Sequence, residues 1–224
     1  MTLILNGTDN SATTPAVTGT DTDTGVYYPA ANQVAIATSG TQAMLANASQ
    51  GVQFANAIGV GATTPTTSGA GITFPATQSA STNVNTLDDY EEGTWTPSAG
   101  SESGVLTATY GVRTGKYVKI GRWVWCGFDI ELTSRTNAGS LAFLYGLPFA
   151  VANNGDLSGG VGSIGINFNA GSNFYQIGIY PQNNAVYCYI TGTTSNTSNL
   201  SAMVQAFWGA TTRLCGGFYF MSSD

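Results

Sequence analysis

The run GKYVKIGRWVWCGFDIEL, residues 115–132, decides the fold class. Within it Val124, Cys126, Phe128, Ile130 and Leu132 alternate strictly with Trp123, Trp125, Gly127, Asp129 and Glu131. Successive side chains of a strand point to opposite faces, so a period of two marks a strand with one buried face. Runs of strand length follow downstream: LAFLYGLP (141–148), GSIGINF (162–168), NFYQIGIY (173–180), AVYCYIT (185–191), SAMVQAFW (201–208) and LCGGFYFMS (214–222). Pro181-Gln182-Asn183-Asn184, inside IYPQNNAVY, reads as the turn of a hairpin. Seven or eight short strands over about 130 residues predict a jelly-roll-like β-sandwich over 98–224.

Composition agrees with an all-β chain. Of 224 residues only 8% are charged and 29 are Gly, with Ser, Thr, Asn and Ala filling much of the rest. Helical proteins usually need more Glu, Lys and Leu than this. The net charge is −6, and the six basic residues (Arg113, Lys116, Lys119, Arg122, Arg135, Arg213) all lie beyond residue 112. Residues 1–112 hold eight acidic groups and no basic one, so that half cannot neutralise phosphates and nucleic acid is not expected as a partner. The absence of His removes His-based triads, the usual zinc sites and the commonest acid–base group. Cys126, Cys188 and Cys215 lack metal or redox spacing and read as small buried apolar residues. Leu3-Ile4-Leu5 is too short for a signal peptide core, and no apolar run approaches the roughly 18 residues of a membrane span. A soluble protein made in a cytoplasm is expected, without membrane insertion.

Upstream of about residue 84 large apolar side chains are few, yet a repeat is present. QVAIA (33–37), QAMLA (42–46) and GVQFA (51–55) align so that Val34, Ala43 and Val52 are nine apart, as are Ile36, Leu45 and Phe54. Each rung offers too few apolar contacts to offset the entropy of ordering nine residues. Three copies placed side by side would change that balance. The expectation for 25–84 is therefore an extended, repetitive trimeric β-shaft, with Val34, Ile36, Leu45, Val52 and Phe54 as its inter-subunit contacts. Residues 57–84, rich in Gly, Ala, Thr and Ser and interrupted by Pro65 and Pro75, read as connecting chain with one apolar insert, Ile72-Thr73-Phe74.

NTLDDYEEGTWTP, residues 85–97, separates the two textures and gathers Asp88, Asp89, Glu91 and Glu92. Paired carboxylates can run glycoside hydrolysis, hold a metal or mark a structural joint. Their place after a flexible stretch gives little preorganisation, and the reading favours a joint. The acids then solvate a bend or pair with Lys119 or Arg122. Trp95 anchors the following domain, and Pro97 helps fix the chain direction. Asp129 and Glu131, two apart on one strand face and so about 6–7 Å from each other, form the other carboxylate pair. They point in parallel, without a desolvated partner acid. Neither pair is expected to be catalytic, and no metal or cofactor is expected.

Three stretches carry a resemblance: TGTDTDTGVYYPAANQVAIATSGTQAM (18–44), LDDYEEGTWTP (87–97) and YGVRTGKYVKIGRWVW (110–125), with LYGLPF (144–149) further on. Together they resemble bacteriophage tail fibre proteins, from about Thr18 to the end of the chain. The eleven-residue junction is the specific part, and the N-terminal match is low in complexity. What the resemblance implies is a homotrimeric virion fibre, located in the tail, that attaches to a host-cell surface glycan or protein. Other tail or baseplate proteins would be its virion partners. On that reading 1–24 is the virion-attachment segment, 25–84 the shaft, 85–97 the junction and 98–224 the knob. A structural virion component (baseplate or capsid-attached fibre) without a receptor role is the alternative, and a glycan-degrading tailspike is a third.

Candidate receptor contacts fall in two places. Trp123 and Trp125 share a strand face with Asp129, where an indole can stack on a sugar ring while the carboxylate binds hydroxyls. The same aromatics could instead bury against a neighbouring subunit. Tyr180, Asn183 and Tyr187, with Tyr175, Tyr189, Gln182 and Asn184 nearby, make an uncharged hydrogen-bonding surface at a hairpin tip, to which TGTTSNTSN (191–199) could add polar groups.

Overall fold

The computed structural model describes residues 4–5, 11–65, 68–77, 81–83, 85–136, 141–153, 162–168, 176–193, 201–202, 207–209 and 211–223. Tyr175 and residues 194–200, named above, lie outside these. The protein is all-β, with no α-helix among the described residues. It divides into two compact units, Met1–Ser79 and Ala80–Asp224.

In the first unit six strands form an antiparallel meander in chain order: β1 (Ile4–Leu5), β2 (Val17–Thr18), β3 (Gly25–Tyr27), β4 (Val34–Thr38), β5 (Thr41–Ala46) and β6 (Val52–Phe54). Local chemistry makes the turns. Ser39 and Gly40 both adopt positive φ (48° and 68°) between Thr38 and Thr41, the geometry a two-residue hairpin demands. Asn47 Oδ1 accepts from Ser49 N (3.0 Å) and Gly51 N (2.9 Å), closing the β5–β6 turn. A parallel pair, β7 (Ile58–Gly59) and β8 (Ile72–Thr73), follows and includes the Ile72-Thr73 insert.

The nine-residue spacing is one strand plus one turn of this meander, and antiparallel pairing changes what it brings together. Val34 stands opposite Ala46, and Ala46 opposite Val52; Ile36 stands opposite Met44, and Met44 opposite Phe54. Leu45 instead faces Ala35 and turns to the other side. There it packs on a small core of Tyr27, Ala35 and Ala37. The expected row Ile36–Leu45–Phe54 is therefore corrected: Met44 takes the middle place, and Leu45 belongs to the unit's own core.

The second unit contains β9 (Tyr90–Trp95), β10 (Ser98–Ser101), β11 (Gly104–Val105), β12 (Ala108–Ile120), β13 (Trp123–Arg135), β14 (Phe143–Tyr145), β15 (Gly162–Phe168), β16 (Gln176–Pro181), β17 (Tyr187–Thr193), β18 (Ser201–Ala202) and β19 (Arg213–Met221). Hydrogen bonding runs through one path, β11-β10-β14-β17-β16-β15-β19-β13-β12-β9, with β18 attached to β17. Inward residues from both ends of the path, among them Ala99, Leu144 and Ile190 at one end and Trp95, Ile130 and Phe218 at the other, share one buried cluster. A single ladder whose two halves share a core must fold over on itself. The layers are thus halves of one continuous sheet. Pro181 closes β16 opposite Cys188, so the hairpin turn begins at Gln182 rather than at Pro181.

Within 85–97 the chain already enters the sheet of the second unit. Tyr90–Trp95 is an edge strand of the second unit, paired with β12 from Tyr90↔Ile120 to Trp95↔Gly115. Its inward residues meet complementary partners. A Cβ on Gly93 would lie 2.6 Å from the Tyr117 ring, and one on Gly115 would lie 2.5 Å from Trp95 Nε1. Each glycine leaves the space that the opposite ring fills. Trp95 Nε1 is within 3.2 Å of both Lys116 O and Gly127 O, and Arg113 Nε donates to Pro97 O at 2.9 Å.

Candidate functional site

Burial of Val124, Cys126, Phe128, Ile130 and Leu132 turns the opposite face of β13 outward. Trp123 and Trp125 stand there, 54% and 52% exposed. Trp125 pairs with Tyr219 on β19 and Val118 on β12, and the rings of Trp123 and Tyr219 lie 5.6 Å apart. The next outward pair along is Gly127 and Gly217. A Cβ on Gly127 would come within 2.8 Å of Trp125 Cη2, and one on Gly217 within 3.5 Å of Cζ2. The indole therefore lies over Gly127, where a side chain would collide with it, and against Gly217, where one would only touch it, with half its surface open to solvent.

Beside it is a cleft of about 490 Å³. Trp125, Asp129, Lys116, Arg113, Thr94 and Thr96 supply its chemistry. Asp129 accepts from Arg213 through both carboxylate oxygens (Oδ1–Nε 3.1 Å, Oδ2–Nη2 2.8 Å), and hydrogen bonding to Asp129 raises the Arg213 pKa further. The fork leaves the acid's remaining lone pairs in a fixed direction. Arg113 bonds Pro97 O and Ser98 Oγ and lies over the Tyr110 ring. Lys116 is exposed between Thr94 and Gly127 on the outward face, with no carboxylate within ion-pair distance among the described residues.

The second candidate group lies on the same outward face of the ladder. Gly178, Ser163, Gly217 and Gly127 form one row across β16, β15, β19 and β13. β16 and β19 both run antiparallel to β15, which lies between them, so Tyr180 and Tyr219, two residues beyond Gly178 and Gly217, share this face on either side of β15, with Trp125 beside Tyr219. Tyr180 is 44% exposed. Tyr187 is half-buried in a ring cluster, stacked on Phe143 at 5.0 Å and tilted against Tyr145 at 4.9 Å. Asn183 sits at the turn, where Gln182 N donates to Tyr187 O. The fold puts Tyr180 on the same sheet face as Trp125 and Asp129 but with two strands between, and leaves Asn183 at the β16–β17 turn and Tyr187 in the ring cluster. Sequence reasoning missed Tyr219, Lys116 and the paired glycines, although alternation in LCGGFYFMS already turns Gly217 and Tyr219 to one face.

The junction carboxylates are occupied by local structure. Asp89 Oδ2 lies 2.6 Å from Lys119 Nζ with both side chains buried, and Glu91 Oε1 is 4.0 Å from the same nitrogen. Asp88 Oδ2 accepts from Ser81 N at 2.7 Å, and Glu92 accepts from the Tyr90 hydroxyl. Burial pushes the Cys126 thiol up to about 12 and Cys188 well above the ordinary thiol range.

Comparison with family models, curated proteins and solved structures finds no match.

Proposed function

We propose that this chain is a bacteriophage virion fibre protein, a homotrimer in the tail that attaches to a host-surface glycan. The observation that carries the reading is Trp125, half exposed and laid over Gly127 and against Gly217 beside the fixed Asp129–Arg213 pair. A pyranose ring offers an apolar face of C–H groups and a rim of hydroxyls. An indole platform with an adjacent ordered carboxylate matches both. Strand-borne groups need little ordering on binding, which lowers the entropic cost. Repetition over three subunits and several fibres converts weak single sites into avidity.

The homotrimer reading draws on the first unit, where Val34, Ile36, Val52 and Phe54 are exposed on one face while the buried cluster opposite is, among the described residues, Tyr27, Ala35 and Ala37, with Ala12 and Leu45 packed on it. So small a core leaves most of the stabilisation to be supplied from outside, and a second copy presents the same uncharged face. Adhesion without catalysis fits the carboxylates, since Asp129 is held by Arg213 and Asp89 by Lys119. A second reading, a structural fibre, is favoured by the apolar strip Tyr90, Ile120 and Trp123, exposed on the same face as Trp125. Trp125→Ala separates the two. Loss of binding to host cells with the trimer intact supports the receptor role, and dissociation to monomers in sedimentation supports the structural one.

A further inference from the structure

The charge of the cleft differs from that of the chain. The protein carries −6 overall, yet the charged groups lining the cleft are Arg113, Lys116 and Asp129. Asp129 is neutralised by Arg213 in a two-point fork. Arg113 is bonded to Pro97 O and Ser98 Oγ, both neutral acceptors. Among the described residues, neither Lys116 nor Arg113 has a carboxylate within 4 Å.

Their position relative to the platform matters. Lys116 is the cross-strand neighbour of Gly127, the residue over which the Trp125 indole lies. A sugar ring stacked on that indole would direct a substituent at its rim toward the ammonium. Lysine acts as a compact point charge and serves carboxylate and phosphate alike.

We propose that the cleft selects anionic sugars, bearing carboxylate or phosphate groups, over neutral ones, with Trp125 as the stacking platform and Lys116 as the anion contact. This rests on the glycan-receptor reading above and deepens it. The test uses the intact protein against three immobilised polymers: a neutral glucan, polygalacturonate, and a glycerol-phosphate polymer. Binding to at least one anionic polymer is expected to exceed that to glucan and to weaken as salt is raised. The two anionic arms separate carboxylate from phosphate recognition. Lys116→Gln, at an exposed position, should lower anionic binding by about tenfold, and Lys116→Arg should restore most of it. Equal, salt-insensitive binding to all three polymers, lost in Trp125→Ala but unchanged in Lys116→Gln, would overturn the selectivity and leave the receptor reading standing. Anionic binding that Lys116→Gln leaves unchanged overturns Lys116 as the contact. Failure to bind any of the three overturns the selectivity, and the receptor reading is then judged separately by whether Trp125→Ala changes attachment to host cells.

Discussion

Trp95 and Gly115 face each other across β9 and β12, and a methyl group at Gly115 would lie 2.5 Å from the indole nitrogen. One step along, Gly93 stands in the same relation to Tyr117, at 2.6 Å. The motifs EEGTW and TGKY are thus one device: each supplies a glycine to the other's aromatic ring. Two further ties extend it, Pro97 O to Arg113 at one end and Asp89 to Lys119 at the other.

Gly115→Ala should therefore destabilise the second unit by about 1–3 kcal/mol through overpacking, since the indole is also tied to Lys116 O and Gly127 O and cannot swing away freely. Gly104→Ala is a poor control because its φ is +109°. Ser103→Ala, in the same exposed turn, serves better and should change stability far less. Urea unfolding of the three proteins measures the difference.

The Asp89–Lys119 pair makes a second expectation. Both side chains are 1% exposed, and the Lys119 ammonium also sits 4.9 Å over the Phe149 ring. Asp89→Ala strands a buried cation with only Glu91 at 4.0 Å, and should cost about 3–5 kcal/mol. Asp89→Leu combined with Lys119→Met should recover most of that loss, because no unpaired charge remains. If the double variant is as unstable as the single, the pair contributes more than mutual neutralisation.

What the sequence disclosed follows from how local the cause is. The buried face of β13 is written in five alternating positions and was legible at once. The β9–β12 interlock was not, because a glycine announces no partner, and its ring lies 24 residues away for Gly93–Tyr117 and 20 for Trp95–Gly115. Leu45 was misread for a related reason: spacing alone cannot reveal that an antiparallel turn reverses the face. At the site, Trp125 and Asp129 were named from one strand. Lys116, Tyr219 and the two glycines became visible only when β12 and β19 took their places beside it.

The buried thiols set a pH dependence. Burial raises Cys126 to about 12 and Cys188 well above the ordinary value, whereas an unfolded thiol ionises near about 8.5. The folded state therefore holds these protons more tightly than the unfolded one. Their contribution is complete below the unfolded pKa and is lost as pH rises toward the folded values. Stability should fall above about pH 8.5 by roughly 1.4 kcal/mol per pH unit for each thiol that ionises only on unfolding. Urea titrations across that range, repeated on Cys126→Ala/Cys188→Ala, should show a shallower alkaline loss in the variant.

The first unit offers the sharpest test of association, because its two faces make opposite demands on one substitution. Ile36 is exposed on the apolar face, while Leu45 packs against Ala35 and Tyr27. Ile36→Lys introduces a charge that an isolated chain tolerates and an inter-subunit contact does not. On the proposed homotrimer it should shift the sedimenting species to monomer and make residues 1–79 rapidly cleaved by protease, with the second unit intact. Leu45→Lys should damage the local core as well, giving early proteolysis even at concentrations where wild-type chains associate. A wild-type chain that sediments as a monomer at micromolar concentration, with its first unit resistant to protease, would show that this face needs no second copy to cover it.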